Sequence, residues 1–112
     1  MVELVTEKIQ SGIVVGIAGD VDLYSSPEVR KQLLDLTKLK VKNILIDLSR
    51  VSYMDSSGVA TLVETLQQVN RYKGKLLLFG LDAMVKEVFE LSRLDKVFDI
   101  SGEREAALEK VI

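Results

Sequence analysis

The chain has 112 residues, 15 Lys plus Arg against 17 Asp plus Glu, and a formal net charge of −2. Its 47% apolar and 29% charged content is that of a soluble globular domain, and its length predicts one domain over 1–112 with no room for a second core. It contains no cysteine and no histidine, which excludes disulfides, thiolate and imidazole metal sites, and His-dependent acid–base catalysis.

The mild acidity predicts no nucleic-acid partner, since such proteins usually carry a basic face. The N-terminus, MVELVTEKIQSG, alternates apolar and charged residues and lacks the apolar run of a signal peptide. No apolar stretch approaches the ~20 residues of a membrane span. A cytoplasmic domain with no membrane partner, no metal and no cofactor is the expectation.

Val2 to Ile9 alternates as an edge strand does, Gln10-Ser11-Gly12 is a turn, and Ile13 to Ala18 is a more buried strand. Their short connection predicts an antiparallel hairpin. Gly19-Asp20-Val21-Asp22 is expected to open a loop. Ser25-Ser26-Pro27-Glu28 reads as a helix start, with Ser25 as N-cap, Pro in the first turn and Glu28 placed for a capping box. Val29, Leu33, Leu34 and Leu36 supply that helix's buried stripe, which runs out near Leu39. Asn43 to Leu48 is an almost continuous apolar run, the pattern of a strand covered on both faces. Ser49 to Met54 is expected as a short loop, placing Tyr53 and Met54 outside regular structure.

The next helix carries Val59, Leu62, Val63, Leu66 and Val69 on one face and is expected to end at Gly74. Lys75 to Phe79 is a strand, Met84, Val85, Val88, Phe89 and Leu91 mark a third helix, and Val97 to Ile100 is a short last strand. Ser101-Gly102-Glu103 starts a C-terminal helix with an acid in its first turn. The order β-β-α-β-α-β-α-β-α predicts an α/β fold with a mixed, mostly parallel sheet, in which only the N-terminal hairpin is antiparallel.

In such sheets the working end lies where strand carboxyl ends meet helix N-termini. Two loops fall there, Gly19 to Ser25 and Ser49 to Gly58. Asp55-Ser56-Ser57-Gly58 has a purely local reading, with Asp55 as N-cap and the serines filling the first turn. It also has a functional one. With Asp55 as cap, Ser56 falls at the first helical position and can point outward; a phosphate on it is expected to sit on free amides at the positive end of the helix dipole, bringing about −1.5 to −2 charges. Both readings stay open on the pattern alone.

Enzymatic readings do poorly. A serine nucleophile has no histidine base, and no Ser-x-x-Lys spacing follows Ser56 or Ser57. Asp22, Asp47 and Asp55 do not match a phosphoaspartate receiver, which needs paired acids after its first strand and a Lys at a late strand end; Lys75 lies at the wrong end of its strand. Gly74-Lys75 lacks the rest of a P-loop. Asp20 and Asp22 are solvated turn formers or ionic contacts for a basic partner.

Gly19-Asp20-Val21-Asp22, then Ile44-Leu45-Ile46-Asp47-Leu48-Ser49 with Val51-Ser52-Tyr53-Met54-Asp55-Ser56-Ser57-Gly58, resemble the STAS domain. More narrowly, the chain resembles bacterial anti-sigma factor antagonists over essentially its whole length. Val59-Ala60 stands where many members have Leu-Gly or Ile, and Ala60 keeps the position small. The resemblance implies a non-enzymatic partner-switching protein. Its unphosphorylated form would bind an anti-sigma factor that is also a serine kinase, releasing the sigma factor. The kinase would phosphorylate Ser56 and end binding, and a PP2C-type phosphatase would restore it. Carried over by position, Ser56 is the phosphoacceptor. Asp55, Ser57 and Gly58 form its recognition loop, flanked by Met54 and Val59, and Asp22, Tyr24 and Ser25 belong to the neighbouring partner-facing loop. The alternative is a STAS scaffold or ligand-sensing module not controlled by phosphorylation.

Overall fold

The computed structural model describes residues 2–112. Five strands, β1 (Val2–Ile9), β2 (Gly12–Val21), β3 (Asn43–Met54), β4 (Lys75–Phe79) and β5 (Asp99–Ser101), form one sheet in sequence order. β1 pairs antiparallel with β2, and every later neighbour pairs parallel. Helices α1 (Ser26–Lys38), α2 (Ser56–Arg71), α3 (Ala83–Leu91) and α4 (Arg104–Glu109) follow β2, β3, β4 and β5. The predicted order and fold class are therefore those observed.

Alternation along the strands divides the core in two. Val15, Ile17, Ile44, Ile46, Leu48, Leu76 and Leu78 meet α1, α2 and α3 through Val29, Leu33, Leu62, Val69, Val85 and Phe89. The other face contributes Val14, Leu45, Leu77 and Phe79, which meet Ala107 and Val111 of α4 and its end. The unbroken apolar run of β3 thus reflects cover on both faces. Phe89 and Phe98 close the α3 side as an edge-to-face pair with centroids 5.4 Å apart.

β2 and β3 run further than their sequences suggest. The segments expected as loops, Gly19 to Val21 and Ser49 to Met54, are strand, and they stay paired to Val21↔Met54. The register shifts twice on the way, between Gly16 and Ala18 and between Gly19 and Asp20. These irregularities insert extra residues, so the inward side chains of β3 come at Leu48, Val51 and Met54, at intervals of three. A period-two test therefore fails where the strand continues. At the far end β5 is Asp99–Ser101 rather than Val97 to Ile100, and Val97 is exposed.

The helix ends differ from expectation in a consistent way. The last turn of α2 closes not at Gly74 but through Lys73 in the left-handed conformation (φ 61°), with the Gly74 amide donating to Val69 O at 3.0 Å. α1 and α3 close alike through Lys40 (φ 55°) and Arg93 (φ 59°), with Val41 N donating to Leu36 O and Leu94 N to Phe89 O. This six-to-one closure usually employs glycine; here a basic residue occupies each position, where its charge complements the helix dipole. At the start of α1, Ser25 is the N-cap residue but makes no side-chain capping bond, and the capping box with Glu28 does not form.

Phe89→Ala is expected to cost about 3–5 kcal/mol in urea unfolding, the usual range for emptying a buried aromatic site. Met84→Ala, on the exposed side of the same helix, should stay within about 0.5 kcal/mol of the parent.

Candidate functional site

The Val21↔Met54 pairing brings the end of β2 beside the end of β3. Past it the chain turns into α2, and the Asp55 amide donates to Val21 O at 3.2 Å, tying the two loops together. Asp55 is extended at the N-cap, as its residue type favours. Its Oδ1 accepts from the Ser57 amide at 2.9 Å and the Gly58 amide at 3.4 Å, and the Ser57 hydroxyl donates to the same oxygen.

The two serines are thereby distinguished. Ser57 is partly buried and its hydroxyl is engaged by Asp55, whereas Ser56 is exposed at the first helical position with no hydrogen bond to its hydroxyl among the described residues. Asp55 already holds two of the amides a phosphate could use. A phosphate on Ser56 would therefore face a carboxylate on the helix start and project into solvent, rather than settle into a ready-made nest of free amides.

Asp22 organises the neighbouring loop. Its Oδ1 accepts from the Tyr24 amide at 2.9 Å, the Ser25 amide at 3.0 Å and the Ser25 hydroxyl at 3.2 Å. Ser25 Oγ also donates to Asp20 O at 2.7 Å and accepts from the Asp22 amide at 3.0 Å. Ser25 is buried in this knot, which is why it is not free to cap α1. Turning the loop this way leaves Leu23 at 68% and Tyr24 at 91% exposure.

Both carboxyls are held ionised. For Asp22 the chief cause is the Ser25 amide bond, supplemented by Tyr24 and the Ser25 hydroxyl, and its pKa lies below the ordinary value even though burial and the nearby Asp55 charge oppose the shift. Asp55 is lowered chiefly by the Ser57 hydroxyl, against burial, with help from the Ser57, Gly58 and Leu23 amides. The Leu23 contribution shows that the two loops share one electrostatic environment. It is an acidic one, with Asp20 adjoining through a 3.1 Å bond from the Ser52 hydroxyl.

The remaining expected site residues lie underneath. Met54 is only 3% exposed, Gly58 and Val59 are buried, and all three support the loop from the core side. A Cβ on Gly58 would come within 2.8 Å of both Met54 Cγ and Val21 Cγ1, so this position admits only glycine if α2 is to sit against β2. Met84, 67% exposed at the start of α3, follows β4 at the same carboxyl end of the sheet, whereas the sequence counts it only among the apolar residues that mark the helix. An apolar residue one step off the Val85 and Phe89 stripe was the available signal. Among the described residues no three metal-ligating side chains cluster, and no helix is long and apolar enough to cross a membrane.

The fold and site define a mixed α/β domain that presents an exposed hydroxyl on a capped helix start, beside an acidic, aromatic-tipped loop. The family model of the STAS domain matches residues 3–107, and the chain belongs to that family. It is 34% identical over 100 residues to the anti-sigma-B factor antagonist of Bacillus subtilis (strain 168), covering 89% of this chain and 91% of that protein. In structure it is similar to an anti-sigma factor antagonist from Mycobacterium paratuberculosis, with a TM-score of 0.92, 22% identity, and 99% and 94% of the two chains covered. It is also similar to the Bacillus cell fate determinant SpoIIAA in its phosphorylated form, with a TM-score of 0.76, 21% identity, and 98% and 100% covered. The structural likenesses establish the fold.

Asp55→Ala should cost about 1 kcal/mol near neutral pH, the usual worth of an N-cap. Because the folded-state pKa of Asp55 is depressed, its stabilisation is present above the usual carboxylate range (about 4) and lost as pH falls through the folded value. Urea unfolding of parent and variant at descending pH should therefore converge below about pH 4. A gap that persists unchanged into strong acid would show that the carboxylate charge is not what stabilises the cap.

Proposed function

We propose that this chain is an anti-sigma factor antagonist controlled by phosphorylation of Ser56. The unphosphorylated protein binds an anti-sigma factor that is also a serine kinase, which frees the sigma factor for transcription. That kinase modifies Ser56, the complex dissociates, and a PP2C-type phosphatase reverses the change. The protein acts in the cytoplasm as a binding module and not as an enzyme.

The observation that carries this reading is the difference between the two adjacent hydroxyls. Ser56 is exposed and unbonded, while Ser57 is engaged by the helix cap. A kinase needs a reachable hydroxyl, and modifying Ser56 breaks no bond that holds the fold. The relatives support the same reading through their names, and a neighbour of the same fold exists in a phosphorylated form.

Charge explains the direction of the switch. Asp22 and Asp55 already stand at this surface and sense one another. A further ~−1.5 to −2 charges at Ser56 adds repulsion and bulk to whatever docks over the loop. The domain itself need not rearrange. Leu23 and Tyr24 offer exposed apolar contact beside the serine, and Asp22, Ser25, Met54, Gly58 and Val59 keep that surface in shape from behind.

Incubation with the kinase/anti-sigma factor of the same organism and ATP is expected to add one phosphate, located by mass spectrometry at Ser56. Ser56→Ala should abolish it, while Ser57→Ala should still accept phosphate and lose some stability. Ser56→Asp should weaken binding to the anti-sigma factor at least ~10-fold with little change in Tm. Phosphate found on Ser57 alone, or full binding by Ser56→Asp, overturns the assignment.

A further inference from the structure

The net charge of −2 conceals a separation of charge along the molecule. Residues 36–46 and 65–81 contain no acid, yet hold Lys38, Lys40, Lys42, Arg71, Lys73 and Lys75. The fold places these two segments side by side at the end of the sheet away from Ser56. The Lys75 amide donates to Lys42 O at 2.7 Å, and the Tyr72 hydroxyl donates to Val41 O at 2.7 Å. A Cβ on Gly74 would sit 2.8 Å from Lys42 O, so the loops touch backbone to backbone.

All six cations are exposed, and among the described residues none is in an ion pair. Of the acids near these segments, Asp99 at the start of β5 pairs with Lys110 and Asp35 on α1 with Lys31, while Glu109, beside the Lys110 carbonyl 3.5 Å from Lys75 Nζ, is in no ion pair among the described residues. Complementing the helix dipoles accounts for a cation in each final turn, such as Lys38 and Arg71. It does not require Lys42 or Lys75, which lie beyond the helices. In the midst of the cluster Leu39 is 75% exposed, at the end of α1.

We infer that this basic end is a docking surface for an anionic phospholipid membrane, the lysines and arginine meeting headgroup phosphates while Leu39 enters the interface. Clustered Lys and Arg are attracted to anionic lipid, and a projecting aliphatic side chain gains by burial in the headgroup boundary. Single-stranded nucleic acid fits less well, because it calls for aromatic side chains on which bases stack. The two aromatics in the segments offer no such platform: Tyr72 is half-buried with its hydroxyl engaged, and Phe79 is buried in the core.

The orientation follows from α2, whose 16 residues separate Ser56 from Arg71, a rise of about 22 Å. A molecule held by its basic end turns Ser56 and the acidic loop away from the membrane. Docking is thus independent of the Ser56 switch, and Ser56→Asp should leave it unchanged.

The test is co-sedimentation of the full chain with phosphatidylglycerol–phosphatidylcholine vesicles, with phosphatidylcholine vesicles alone as the neutral comparison. Binding is expected only to the anionic vesicles, and to fall as salt is raised. Lys38→Gln with Lys42→Gln and Arg71→Gln should weaken it at least ~10-fold. Lys31→Gln with Arg50→Gln and Lys86→Gln, equal in net charge, should not. Leu39→Ser, which keeps every charge, should weaken the binding that survives at higher salt. Circular dichroism verifies that each variant is folded. No binding to anionic vesicles at low salt, equal loss in the two triple variants, or no effect of Leu39→Ser overturns the inference. Tighter capture of single-stranded RNA than of vesicles overturns it in favour of nucleic acid.

Discussion

The parallel pairing of β2 with β3, continued to Val21↔Met54, is the constraint from which the site follows. Were the two strands to part at Ala18 and Leu48, the loops leading to α1 and α2 would be long and independent. Instead the pairing continues through two irregularities that absorb extra residues without losing the buried side of β3. Asp55 then emerges against Val21 O, and one carboxylate can serve the start of α2 while the Leu23 amide stands beside it. Gly58 is part of the same constraint, since α2 can approach β2 so closely only where no Cβ intervenes.

This arrangement separates what holds the loop from what the loop displays. Ser57, Ser25, Met54 and Val59 are engaged inward; Ser56, Tyr24 and Leu23 are left outward. A reversible modification works best on a group of the second kind. A charge placed on such a group would meet solvent and hardly touch the fold, whose packing beneath the loop is apolar. The Asp55 carboxylate also occupies the Ser57 and Gly58 amides at the start of α2, so those two are not free to take an anion.

The same economy of surfaces operates at the other end. Three helices close through Lys40, Lys73 and Arg93 in a conformation where glycine is usual. Side-chain charge interacting with the helix dipole offsets part of the backbone strain. The outcome is a domain of nearly balanced charge with an acidic end and a basic end.

Element types and their order were legible because they depend on local pattern. The alternation of Val2 to Ile9, the apolar run from Asn43, the stripe from Val59 to Val69 and the Asp55 cap all act over a few residues. The Met54-Asp55-Ser56-Ser57-Gly58 block was equally readable, since its residue types at a helix start admit few arrangements. What sequence could not supply was anything set by a partner strand or a distant loop. The extension of β3 past Leu48 breaks the period of two because β2 shifts register against it. Ser25 gives up the cap of α1 because Asp22 and Asp20 O compete for it. Met54 proved to be buried support, since only the neighbouring strand decides which way it faces. Net charge is a property of composition, but its division between two ends comes from the meeting of residues 36–46 with 65–81. The sequence by itself determined an α/β fold without histidine or cysteine and with a capped serine pair. Tertiary structure decided which serine is free and where the charges gather, because both depend on contacts between segments far apart in the chain.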